Sequence, residues 1–402
     1  MTLLTSLALI FLVGLALASI CQRLRLPRII GMLITGILLG PHVLNLFDSS
    51  ILGISADLRQ MALVIILIKA GLSLNLEDLR RVGRPALLMA FLPAVFEIAA
   101  FVLFAPMALG VSRVEAAVMG AVLGAVSPAV VVPRMVQLMD EGYGTDKGVP
   151  QMILAGASLD DVFVIVLFST FVNMAQGSGL QITDFASVPV SIVLGIGLGA
   201  ATGFLLAWFF EASHARRRLI RNSMKVMIVL GVSFLLLAME DWLEGVVPVS
   251  GLLAVMSASL VLAMRSVPSV TDRLREKYGK LWLAAEVILF VLVGAAVDIR
   301  YTLRAGGGAL LMIAVGLLFR CVGVWLCMAG TALNRKERLY CMIAYLPKAT
   351  VQAAIGSVPL ALGLPCGQMV LSVAVLSILI TAPLGAVAMD MTYQKFLQAA
   401  KP

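Results

Sequence analysis

The sequence predicts an all-α polytopic membrane protein of about thirteen transmembrane helices, built on an inverted repeat with two discontinuous helices that cross. Three observations carry this expectation. Of 402 residues, 61% are hydrophobic and only 13% charged, against about 25% charged in ordinary soluble domains. Apolar runs of spanning length recur from one end of the chain to the other. Two of those runs, seven segments apart, are interrupted by proline at matching positions.

In order, the apolar segments fall at about 3–21, 29–47, 58–74, 85–110, 114–138, 149–174, 187–210, 224–239, 245–264, 281–298, 306–332, 339–362 and 368–389. No basic residue precedes the first, and Arg23, Arg25 and Arg28 follow it, so it reads as a span and not as a signal peptide. Counting Lys and Arg in alternate loops places 23 of the 30 on one side, including the tail residues Lys395 and Lys401; only Arg59, Arg113, Arg300 and Arg304 fall on the other. Such a bias predicts the N-terminus outside and the C-terminus in the cytoplasm; the expected membrane is the plasma (bacterial inner) membrane. The net charge of +8 then faces the cytoplasmic side and membrane lipids, and no nucleic-acid partner is needed to explain it. The longest polar connections, Ala212–Ser223 and Arg265–Lys280, are too short for a soluble regulatory domain. Cys21, Cys321, Cys327, Cys341 and Cys366 lie mostly in apolar runs without paired metal spacing, and they read as small packing residues.

The charges inside the spans point to a site. Asp160 and Asp161 lie about a dozen residues from either end of the run Val149–Met174, near the bilayer centre. An ionised aspartate there costs about 2.5–3.5 kcal/mol on insertion scales, so a pair implies either a tight helix–helix hydrogen-bond tie or a cation or proton site. The fifth segment carries Ser127-Pro128-Ala129-Val130-Val131-Val132-Pro133, and the twelfth carries Leu346-Pro347-Lys348-Ala349-Thr350-Val351-Gln352. Proline removes a backbone donor and clashes with the preceding turn. Broken backbone at membrane depth is tolerated only against protein or a wet cavity. Pairing segments two to six with nine to thirteen makes each break the fourth helix of its repeat. The third helices then carry Glu97 and Arg320 at similar depth with opposite sign, an arrangement found in secondary transporters. Glu97 and Arg320 are expected to form a buried ion pair, serving either as a structural clasp or in proton coupling. Lys348 is placed either to neutralise the carbonyl ends of the broken helices or to touch substrate. Thr350, Gln352 and Glu286 are possible secondary members. Lys69, near a helix end, reads as a snorkelling anchor. Gly195, Gly199 and Gly203 form a close-packing stripe. The two histidines, His42 and His214, lie away from the midplane, and no nucleophile–base or metal-ligand set marks an enzyme.

On Gly156-Ala157-Ser158-Leu159-Asp160-Asp161 and Leu346-Pro347-Lys348-Ala349-Thr350-Val351-Gln352-Ala353-Ala354-Ile355-Gly356, supported by Gly36-Ile37-Leu38-Leu39-Gly40-Pro41 and the run Leu63–Leu72, the chain resembles the monovalent cation:proton antiporter superfamily, and its NHA-type sodium/proton exchangers in particular. The resemblance covers nearly the full length. It implies the sodium/proton antiporter fold and a homodimer. A dimerisation scaffold would be formed by residues 1–80 and 187–298, an ion-translocating core by 85–174 and 306–389, and a cytoplasmic tail by 390–402. It further implies that Asp161 binds the ion with Asp160 as its neighbour, and that Ser127 and the broken fifth helix line the same site. One departure stands out. Electrogenic bacterial members place a lysine on the helix equivalent to segment eleven, paired with the first aspartate. Here Arg320 occupies that helix beside Glu97, and arginine effectively never releases its proton.

The chemistry so implied is competition without a cofactor or covalent step. A carboxylate in a low-dielectric site beside a like charge holds its proton to higher pH. Deprotonated, it offers hard oxygens to sodium or lithium; protonated, it is neutral. The alternatives are potassium/proton antiport on the same fold and an ion-coupled organic-solute carrier, which would need a larger polar cavity.

Overall fold

The computed structural model describes residues 2–24, 26–73, 83–177, 182–215, 220–243, 247 and 249–399. The basic residues Arg25, Arg80, Arg81, Arg216, Arg217, Arg218 and Lys401 lie outside the described residues. Within these bounds the regular structure is helical, apart from one isolated bridge between Tyr143 and Ala399. Nine helices among the described residues are long and apolar enough to cross a membrane. Arg28–Leu39, Gly251–Arg265 and Thr350–Ala361 are shorter and also apolar.

The helices follow the hydropathy segments closely, with three differences. Segment two is helical only over Arg28–Leu39; it stops at Gly40-Pro41, where proline disfavours helix in the residue before it. Segment four is divided into Arg84–Met89 and Leu92–Leu109 by a turn at Ala90 and Phe91, and Pro93 sits in the first turn of the second piece, where a missing N–H costs nothing. Segment ten starts well before its apolar stretch, in the helix Pro268–Ala295.

Two compact units divide the chain: residues 1–59, 76–175 and 287–402 form one, and residues 60–75 and 176–286 the other. In the second, Ile182–Ala215 packs along Gly251–Arg265. The glycine stripe explains how. A β-carbon on Gly195 would meet the Ser250 carbonyl, one on Gly199 the Ala254 carbonyl, and one on Gly203 the Ala258 carbonyl, so a bare glycine surface runs along the partner's backbone. Lys69 stacks its ammonium 5.9 Å from the Trp282 ring and interacts electrostatically with Glu286, all within this unit.

In the first unit, α1 (Leu92–Leu109) packs between α2 (Arg113–Leu123) and α5 (Ile299–Cys327). After α2 the backbone leaves helical geometry over residues 124–127 and resumes as α3 (Pro128–Asp140); α4 (Val149–Gln176) follows. Likewise α6 (Arg335–Ala344) gives way over residues 345–349 and the chain resumes as α7 (Thr350–Gly356), before α8 (Gly367–Phe396) closes the unit. Both breaks occur where the sequence places them, at Pro128 and Pro347. Ser127 is extended ahead of Pro128 (φ −87°, ψ 111°), and Pro128 starts the next helix at a position where no amide is required. At one end of the unit Arg134 pairs with Asp390 at 2.9 Å and Lys147 with Glu337 at 2.9 Å, tying α3 to α8 and the α3–α4 connection to α6.

Replacing Gly199 with leucine is expected to force the two backbones of the glycine-lined pair apart. Overpacking of this kind costs about 1–3 kcal/mol, and a thermal melt of the purified protein in detergent should fall by several degrees. An unchanged melting temperature would contradict the close approach.

Candidate ion-binding site

The two breaks are in direct contact. The Ser127 amide donates to the Pro347 carbonyl at 2.8 Å, so the extended stretch ahead of α3 runs against the one ahead of α7. An interrupted helix exposes carbonyls at the end of its first half and amides at the start of its second, and buried backbone groups of that kind need partners. Side chains supply most of them here. Of the carbonyls leaving α2, that of Leu123 accepts from Lys348 Nζ at 2.5 Å, that of Gly124 from Arg320 Nη1 in a short contact, and that of Ala125 from Gln352 Nε2 at 2.8 Å. The Tyr345 carbonyl, leaving α6, accepts from Arg320 Nε at 2.8 Å. On the amide side, Val126 donates to Asp160 Oδ2 at 2.8 Å, Lys348 to Thr381 Oγ1 at 2.9 Å, and Ala349 to Gln352 Oε1 at 2.7 Å.

The cations that cap these carbonyls are themselves neutralised. Arg320 Nη1 lies 2.9 Å from Glu97 Oε2, and Arg320 Nη2 lies 2.8 Å from Asp160 Oδ2. Lys348 Nζ lies 2.6 Å from the same Glu97 oxygen. All four side chains are at most 1% exposed. Two guanidinium or ammonium charges thus face two carboxylates in one sealed cluster of formal charge zero. The expected Glu97–Arg320 pair is present, and Lys348 does meet a helix-end carbonyl. Sequence reasoning missed two further links: Arg320 to Asp160, and Lys348 to Glu97. Nothing in the hydropathy or spacing reports which of several buried charges are neighbours. Gln352, named only as a possible secondary member, proves to brace both breaks. Thr350 is buried in the first turn of α7, whereas Glu286 belongs to the other compact unit.

Asp161 differs from its neighbour. Successive helix residues point about 100° apart, so Asp160 faces the breaks while Asp161 is turned away, partly exposed. Asp160 and Arg320 are the charges that act on it. Asp161 Oδ1, Asp160 Oδ1 and Ser127 Oγ are buried oxygens without a hydrogen-bond partner. Asp160 Oδ2 is bonded to the amide of Val126, next to Ser127, so Asp160 meets the chain at the first break, one residue along α4 from Asp161. Hard, anionic oxygens in a protein-lined break suit a small alkali cation; no group of three or more His, Cys, Asp or Glu forms a metal cluster among the described residues.

Comparison with known proteins identifies the family and the fold. Residues 7–391 match the family described as "Sodium/hydrogen exchanger, transmembrane". The chain is 33% identical to sodium/hydrogen exchanger 9B2 of Mus musculus over 389 residues, which covers 94% of this chain and 69% of that protein. It is 34% identical to sodium/hydrogen exchanger 9B2 of Homo sapiens over 384 residues, covering 93% and 70%. The structure of the sodium proton antiporter MjNhaP1 from Methanocaldococcus jannaschii at pH 8 superposes with a TM-score of 0.83 at 21% identity, covering 98% of each chain, and so shares the fold. With nearly the whole chain inside the family match, and with relatives above 30% identity along it, this integral membrane protein belongs to the sodium/hydrogen exchanger family and is a transporter, not an enzyme.

Proposed function

We propose that the protein exchanges sodium or lithium for protons, with Asp161 as the titrating ion ligand and Asp160 and Ser127 completing the site. One observation carries the reading: of the carboxylates at the crossing, Asp160 is engaged on one oxygen by Arg320 and the Val126 amide, whereas Asp161 forms no ion pair among the described residues and holds a buried oxygen without a partner. An ionised Asp161 in that position needs a cation, and a neutral Asp161 needs a proton. The two occupants exclude each other. Alternating access of this one site to the two membrane faces then couples their gradients, with no cofactor and no covalent step.

The charges of the cluster bear on stoichiometry. Arg320 and Lys348 balance Glu97 and Asp160, and arginine keeps its charge at any accessible pH. Asp161 is left as the group that changes state, so one monovalent cation replaces one proton and exchange is electroneutral. The same reading places segments two to six and nine to thirteen in an inverted repeat, the core in 85–174 and 306–389, and the scaffold in 1–80 and 187–298 of a homodimer. The N-terminus is outside and the tail from residue 390 inside a plasma membrane.

Asp161→Asn should abolish sodium- and lithium-driven proton flux in proteoliposomes while the protein still purifies folded. Normal sodium-driven flux from that variant would refute the assignment. Wild-type flux driven equally well by potassium would shift it to potassium/proton antiport.

Initial exchange rates should not respond to a membrane potential clamped with valinomycin and potassium; a rate that rises or falls with the imposed potential would exclude one-for-one exchange.

Glu97→Gln leaves Arg320 and Lys348 with a single carboxylate between them. Breaking a buried ion pair from one side costs about 3–5 kcal/mol, so its melting temperature should fall well below that of Asp161→Asn. Equal melting temperatures for the two variants would show that the cluster does not hold the breaks together.

A further inference from the structure

Tyr345 is the first residue past α6, in the break itself, and it is completely buried. Arg320 holds it twice: Nε donates to its carbonyl at 2.8 Å, and the guanidinium lies 5.5 Å from the centre of its ring. Nη2 of the same guanidinium donates to Asp160 Oδ2 at 2.8 Å. One arginine therefore fixes the ring and the carboxylate relative to each other. The phenol points at α4, where a β-carbon on Gly156 would overlap its oxygen, so glycine at 156 is what lets the hydroxyl reach the helix. Gly156 and Asp160 are four residues apart and share one face of α4, with β-carbon positions about 5–6 Å apart. The Tyr345 hydroxyl is a buried donor without a protein partner, and Asp160 Oδ1 is a buried acceptor without one. Each would cost about 1–3 kcal/mol if it stayed unsatisfied. One water that accepts from the phenol and donates to Asp160 Oδ1 would satisfy both groups.

We infer that Tyr345 is a positioning residue of the ion site, whose hydroxyl holds the free oxygen of Asp160 through one bound water and so sets the direction in which that oxygen meets the cation. The inference rests on the proposed assignment of the site to Asp160 and Asp161. It gives Gly156 a purpose, which is to leave room for the hydroxyl. It also explains why the ring is a tyrosine in an otherwise apolar packing position: a phenylalanine would fill the same volume and orient nothing.

Tyr345→Phe should raise the apparent KM for sodium and lithium in proteoliposomes by about fivefold to tenfold, with the loss falling on KM more than on maximal rate. Gly156→Ala, which displaces the hydroxyl, should raise KM in the same way. The double variant should be no worse than the poorer single one, because both act through one contact. A KM for Tyr345→Phe within twofold of wild type, or single effects that multiply in the double variant, would overturn the inference. Sodium-dependent thermal stabilisation in detergent reads binding apart from transport. If Tyr345→Phe does not purify folded, a Gly156→Ala variant with wild-type sodium stabilisation overturns the inference on its own. Wild-type protein that sodium fails to stabilise would sink the site assignment itself. Stabilisation lost in Asp161→Asn but unchanged in Tyr345→Phe would sink only the role of Tyr345.

Discussion

Two interrupted helices in the middle of a membrane-spanning bundle leave buried backbone carbonyls and amides without helical partners, and the rest of the site is arranged around satisfying those groups. Arg320 is central because one planar guanidinium serves four acceptors at once: the Gly124 and Tyr345 carbonyls, one from each break, and the Glu97 and Asp160 carboxylates. A lysine offers a compact point charge and could not span that set. Lys348 takes the Leu123 carbonyl, and Gln352 joins the two breaks with one end of its amide on each. Charge enters the membrane here as a means of capping backbone, and the carboxylates follow as its counter-ions.

Most of the fold was legible in the sequence because the bilayer imposes it. Spanning length and the two proline breaks are each dictated by one-dimensional pattern, and most of the helices appear within a few residues of those expectations. The departures have local causes. Gly40-Pro41 stops the second helix early, and the turn at Ala90 and Phe91 divides a run whose hydropathy never falters. The charged members of the buried cluster stand out in the sequence too, since charge at membrane depth is conspicuous. Their pairing was not. Glu97 and Arg320 could be matched by depth and sign, but the attachment of Asp160 to Arg320 depends on how α4 is rotated and how far the long guanidinium reaches, and hydropathy carries neither. Tyr345 was passed over for a simpler reason. An aromatic residue in an apolar helix looks like core, and only the glycine opposite, four residues before Asp160, marks its hydroxyl as directed.

Close packing bears on the same architecture. In the second unit the glycine stripe of the helix Ile182–Ala215 lies along the backbone of Gly251–Arg265 without side chains between them. In lipid, where burying apolar area drives little helix association, such contact is a main source of cohesion. The first unit uses glycine differently. Gly323 lets α5 approach the start of α1 at Pro93 and Gly316 lets it approach Phe101, so the helices bearing Arg320 and Glu97 are held close on both sides of that ion pair, while Gly120 lets α2 approach α1 at Ile98. The packing that brings the charges within reach is therefore as specific as the charges.

The adjacent aspartates follow different constraints although the sequence writes them as a pair. Asp160 sits on the face of α4 that meets the breaks, and its bonds to the Val126 amide and Arg320 fix one of its oxygens for structural reasons. A residue so committed is a poor choice for repeated loss and gain of a proton, because neutralising it would strand the charge on Arg320 and free a buried amide. Asp161, about 100° around the same helix, carries no such obligation, and its change of state disturbs neither the arginine nor the backbone caps. In the proposed cycle this separation keeps the crossing intact while the site is emptied and refilled. The helix repeat makes it possible, by placing neighbours in sequence on different faces in space.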